Sequence, residues 1–83
     1  PNVQILYSAL THLTLQISSP VVPTIAHIII TQADGKIVFN QEFSISERVT
    51  TISLPLGLAS GTYNLWWQVG NVKKNYAILV FPR

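Results

Sequence analysis

Gly61-Thr62-Tyr63-Asn64-Leu65-Trp66-Trp67-Gln68-Val69 alternates almost without interruption. Tyr63, Leu65, Trp67 and Val69 fall on one face, and Thr62, Asn64, Trp66 and Gln68 on the other. A period of two marks an extended chain with one buried face, because successive side chains leave a strand on opposite sides. The same period recurs upstream in Leu13-Thr14-Leu15-Gln16-Ile17 and in Thr50-Thr51-Ile52-Ser53-Leu54. Thr24 to Thr31 carries the β-branched block Ile28-Ile29-Ile30, and Lys73 to Phe81 closes the chain as a long apolar run. Val3 to Tyr7 is a weaker strand candidate, and its pairing within the same domain is open. No window shows a helical stripe.

The punctuation between these runs is turn chemistry. Asp34-Gly35 separates Thr24–Thr31 from a return strand that starts at Ile37-Val38-Phe39 and runs to Phe43 or Ile45. Asp-Gly tolerates the positive φ angles of a two-residue type I′ turn, so a hairpin is expected there. Gly70-Asn71 is a second two-residue turn candidate, and Pro55 to Ser60 reads as a loop. Six or seven short strands with turn signals every 8–12 residues predict an all-β fold, an Ig-like antiparallel Greek-key β-sandwich. Leu58-Ala59-Ser60-Gly61-Thr62-Tyr63 has the form of a tyrosine corner, with Gly61 supplying unusual backbone and the Tyr63 ring entering the core.

Composition narrows the function. The 83 residues are 48% apolar and only 10% charged, with no cysteine and no methionine. That length allows one small domain over residues 1–83. Such an apolar chain is not a disordered tail, because it buries enough surface to offset its ordering entropy. Without cysteine there is no disulfide framework, thiolate zinc site or cysteine nucleophile. The net charge is +2 with no basic run, which argues against a nucleic-acid partner. No run approaches the roughly 20 apolar residues of a helical membrane span. The missing methionine is expected of a module excised from a larger chain.

The residues that carry chemistry are few. His12 and His27 are the only imidazoles, and on neighbouring strands two rings could share a metal ion. Alternation points both to solvent and supplies no third ligand, so surface histidines are expected and no metal or other cofactor is assigned. Asp34 belongs to the hairpin turn, which leaves Glu42 and Glu47 as the other carboxylates. No orienting acid stands behind a base for nucleophilic catalysis, so no catalytic residue is assigned and the domain is expected not to be an enzyme.

Trp66 and Trp67 are adjacent and must face opposite ways: Trp67 inward, Trp66 outward beside Asn64 and Gln68. An outward tryptophan can stack on a sugar ring or anchor a protein interface. Lys73 and Lys74, grouped with Lys36 and Arg83, form the one basic cluster. They read either as a docking patch or as charges that protect an edge strand from pairing. Trp66, Asn64, Gln68, Lys73 and Lys74 are thus the candidate partner-binding residues. Tyr63, Gly61, Asp34, Gly35 and Trp67 are the candidate structural ones.

Taken in order, Leu13 to Ile17, Ile28-Ile29-Ile30 leading into Asp34-Gly35-Lys36-Ile37-Val38, Ile52-Ser53-Leu54, Leu58 to Tyr63 and Lys73-Lys74 before a terminal apolar strand are similar to one family. This order resembles the C-terminal domains that direct proteins through the type IX secretion system of certain Gram-negative bacteria. It is also similar to short Ig-like modules secreted by such bacteria. The resemblance implies a non-catalytic module, recognised by the export machinery and removed as its cargo is attached to the cell surface. The protein partner would then be secretion or attachment machinery, or a neighbouring domain, and the localisation secreted or cell-surface. The alternative expectation is an accessory carbohydrate- or protein-binding module of a secreted enzyme, or a structural spacer.

Overall fold

The computed structural model describes residues 1–8, 11–55, 57 and 61–81. Seven strands follow one another along the chain: β1 (Asn2–Ser8), β2 (His12–Ser18), β3 (Thr24–Gln32), β4 (Ile37–Ile45), β5 (Val49–Pro55), β6 (Gly61–Val69) and β7 (Val72–Phe81). They form two sheets, one of three strands in the order β1-β2-β5 and one of four in the order β4-β3-β6-β7. Every pairing is antiparallel. The chain leaves the first sheet after β2, builds a hairpin in the second, returns for β5, and ends in the second sheet. This is the Greek-key sandwich expected from the alternating runs.

Alternation decides the core. Leu13, Leu15 and Ile17 of β2, Ala26, Ile28 and Ile30 of β3, and Tyr63, Leu65, Trp67 and Val69 of β6 are all buried in one cluster. Val3 of β1 is buried in that cluster too, and β1 pairs with β2 from Asn2 to Ser8, so the N-terminal run belongs to the same domain. Each fully buried aliphatic side chain contributes about 1.5–3 kcal/mol of transfer free energy, which makes the phase of these three strands the main specification of the fold.

The first hairpin differs in detail from the expected turn. Gly35 N–H donates to the Gln32 carbonyl at 2.9 Å, and Gln32 N–H donates to the Lys36 carbonyl at 2.8 Å. Only Gly35 has positive φ, at 93°, and no residue other than glycine does among those described. The loop is therefore a three-residue type I turn closed by a left-handed glycine, not a type I′ turn, which requires positive φ at two central positions. Asp34 contributes its side chain instead: Oδ1 accepts from Lys36 N–H at 3.0 Å. The register then slips between Ile30 and Thr31, and this bulge restores the pairing that a two-residue turn would have set. Gly70-Asn71 does form a two-residue turn, with Val69 paired to Val72 and Gly70 at φ 59°.

Gly61 opens β6 at φ 156°, a value that residues with side chains rarely adopt, and Tyr63 is buried two residues later. Leu58, Ala59 and Ser60 of the expected tyrosine corner lie outside the described residues, as does Arg83 of the expected basic cluster.

Candidate functional site

Cross-strand register places the outward-facing residues of the four-stranded sheet in rows. One row runs Glu42 of β4, His27 of β3, Gln68 of β6 and Lys73 of β7, each directly opposite the next. The adjacent row runs Asn40, Ile29 and Trp66. Residues opposite one another in an antiparallel pair have Cβ atoms about 4.5–5.5 Å apart, so each row is a set of contacting neighbours.

His27 is half-buried and held from two sides. Its Nε2–H donates to Asn40 Oδ1 at 2.6 Å, because an amide oxygen can only accept. That bond places a hydrogen on Nε2. The Trp66 ring meets the imidazole edge-on, with centroids 5.5 Å apart and planes at 89°. Gln68 is fixed too: its Nε2–H donates to the Gly70 carbonyl at 3.0 Å. His27, Glu42 and Gln68 line one surface depression of about 340 Å³, with Thr24, Ile25 and the Gly70-Asn71 turn as its rim.

The other sequence-selected residues do not converge on this row. His12 is exposed on the three-stranded sheet, stacked on Tyr7 at 5.1 Å. The two imidazoles therefore belong to different sheets and share no metal ion. Trp66 is outward and half-buried as expected, and it lines a shallow depression of about 460 Å³ with Ile29, Thr31 and Asn64.

The basic cluster dissolves. Lys73 stands opposite outward Gln68, whereas Lys74 stands opposite inward Trp67, so the two lysines share neither face nor row. Lys36 lies beside the β3–β4 turn, at the far end of β3 from Lys73. Lys74 instead completes an inner row, Gln41-Ile28-Trp67-Lys74, in which the two central residues are buried and the two edge residues are exposed. Polar side chains in the core phase of both edge strands discourage further strand addition.

Glu42 and Asn40 were not singled out in sequence, although a signal for Glu42 existed. Reflecting His27 across the midpoint of Asp34-Gly35 lands on Glu42.

Geometry thus defines a small Ig-like Greek-key β-sandwich carrying one imidazole, one carboxylate and one amide oxygen in a row across three strands. The CopC domain model matches residues 2–72, and the chain belongs to the CopC family. That family, copper resistance protein C, consists of periplasmic copper-binding β-sandwiches. No curated protein and no solved structure gives a significant match.

Family membership corrects the earlier expectations. The chain is not a type IX sorting domain, and its role is neither that of a secretion signal nor that of a carbohydrate-binding module. Alternating strands, an Asp-Gly hairpin and a glycine before a core tyrosine are needed by antiparallel sandwiches in general, so they could not separate one sandwich family from another. CopC proteins are periplasmic, which agrees with export. Among the described residues no helix is long and apolar enough to cross a membrane.

The donor inventory tests the fit to copper. Thiolate and thioether ligands select Cu(I), and the chain has no cysteine and no methionine to supply them. No group of three or more His, Cys, Asp or Glu residues gathers among the described residues. What the fold does gather is a nitrogen and two oxygen donors, the ligand types that suit Cu(II).

Proposed function

We propose that this domain handles copper as cargo in the periplasm and takes it as the oxidised ion, Cu(II), binding it without catalysing a reaction. The observation that carries this reading is the chemistry of the available donors in a CopC-family sandwich. Sulfur ligands are absent from the whole sequence, while imidazole, carboxylate and amide oxygens line one depression of the four-stranded sheet. Cu(II) stands at the top of the divalent order for nitrogen and oxygen sites, so even a site with few protein ligands favours it over the other first-row ions. Few protein ligands also leave coordination positions for water or for a donor on another molecule, as suits an ion that is carried and passed on.

The test compares the two oxidation states on the 83-residue chain. Cu(II) added in air should remain with the protein through gel filtration at about one ion per chain. Cu(I), offered without oxygen from a colourless chelator that colours on binding it, should stay with the chelator. Retention of Cu(I) in preference to Cu(II), or of neither ion, overturns the reading.

A further inference from the structure

We propose that β5 is a docking edge for a second copy of this chain, the two β5 strands pairing antiparallel about a two-fold axis at Ile52. The contact is made by the three-stranded sheet, away from the His27 depression, and does not depend on copper binding.

Each sheet exposes two edges, β1 and β5 in one and β4 and β7 in the other. Three of the four strands carry protection. The pairing skips Leu6 on β1, Val38 on β4 and Tyr76 on β7, and such bulges twist an edge and interrupt its row of free backbone groups. In addition, β7 carries Lys73 and Lys74, and β4 carries Glu42 and, in the core phase, the exposed Gln41. Strand β5 has neither device. Its seven residues pair with β2 one for one, from Ser18↔Val49 to His12↔Pro55, and none is charged. A regular, uncharged edge rich in β-branched residues is a template for another strand.

The strand is complementary to itself, as a two-fold contact requires. Pairing centred on Ile52 sets Ile52 against Ile52 of the second copy, Thr50 against Leu54, Thr51 against Ser53 and Val49 against Pro55. Thr50 and Ile52 are half-buried on the core side, so the joint extends the core row of each copy. On the outer side two hydroxyl residues face each other, and Val49, 55% exposed in the single chain, is covered by a proline ring.

Charge favours a like copy over an oppositely charged partner. The chain carries +2 overall, yet β1, β2 and β5 contain no Asp, Glu, Lys or Arg. Two copies can therefore meet through this sheet without repulsion, whereas an acidic or basic partner finds no charge on it to hold. The contact runs about 23 Å along the strand. That places it among small, transient interfaces, with Kd about 10 µM–1 mM.

The experiment is sedimentation of the 83-residue chain from about 10 µM to about 1 mM, with amide hydrogen exchange at both extremes. Mass should rise toward the dimer and no further, and exchange should slow with concentration in β5. Thr51→Lys/Ser53→Lys puts like charges opposite each other across the two-fold and should weaken association at least tenfold. Thr51→Glu/Ser53→Glu should do the same although it lowers the net charge from +2 to zero. Thr51→Glu/Ser53→Lys puts opposite charges in those pairs and should associate at least as tightly as wild type.

Both positions are exposed, so the three variants should keep the sheet signal in circular dichroism. The exchange pattern of wild type tests the edge without any variant. A chain that stays monomeric throughout, a dimer whose slowed amides lie in β1, β4 or β7, or a mixed-charge variant that dissociates like the two like-charged ones overturns the proposal.

Discussion

Trp67 is 1% exposed, and its indole N–H has no hydrogen-bond partner among the described residues. Replacing it with phenylalanine sets two effects against each other. The smaller ring removes about 40 Å² of buried apolar surface, about 1 kcal/mol at 25 cal/mol per Å². It leaves a void of about 40 Å³, which adds roughly 1 kcal/mol at 24 cal/mol per Å³ if the site does not relax. Against this, an unpaired buried donor costs about 1–3 kcal/mol, and phenylalanine removes that cost.

The two sides nearly cancel, so Trp67→Phe should change stability by no more than about 1 kcal/mol. Urea unfolding followed by circular dichroism measures this without relying on the removed fluorophore. A loss above about 3 kcal/mol would refute the reasoning, because it would mean that the indole N–H has a partner in solution and that its bond is part of the core.

Ile28 is fully buried opposite Trp67, so Ile28→Ala should cost about 2–5 kcal/mol by the same assay. For 83 residues the whole stability is about 4–12 kcal/mol, and this variant should populate the unfolded state measurably at 37 °C. Gly35 has φ 93° with open space around its α-carbon, so Gly35→Val should destabilise by about 1–2 kcal/mol through backbone strain alone, as a lowered melting temperature without a change of oligomeric state. Lys74→Val removes the exposed charge from the core phase of an edge strand. It should leave the monomer about as stable and increase concentration-dependent association in sedimentation, whereas Lys73→Val on the outward face should do so less.

The His27–Glu42 pair shows how a register can be legible when the turn is not. A type I′ turn at Asp34-Gly35 predicts it, yet the chain uses a three-residue turn and recovers the lost residue in a bulge between Ile30 and Thr31. The inward side chains set that outcome: only this register keeps Ala26, Ile28 and Ile30 in phase with Phe43 and Phe39. Gln68 could not be joined to the pair in this way. Its partner strand lies far along the chain, and the β3–β6 pairing exists because β5 crosses back to the other sheet. Lys73 and Lys74 mislead for the complementary reason: neighbours in sequence are on opposite sides of a strand, so a doublet of charge is not a patch.

Read alone, the sequence determines the fold class, the identity of the core and the exclusion of sulfur chemistry. These depend on local alternation and on composition, which the backbone's two-residue period converts directly into faces. Strand neighbours, the convergence of His27, Glu42 and Gln68, the separation of the two histidines and the dispersal of the lysines were decided only in three dimensions. Each depends on which strands lie side by side, and that order follows from closing two sheets over one core rather than from any strand's own residues.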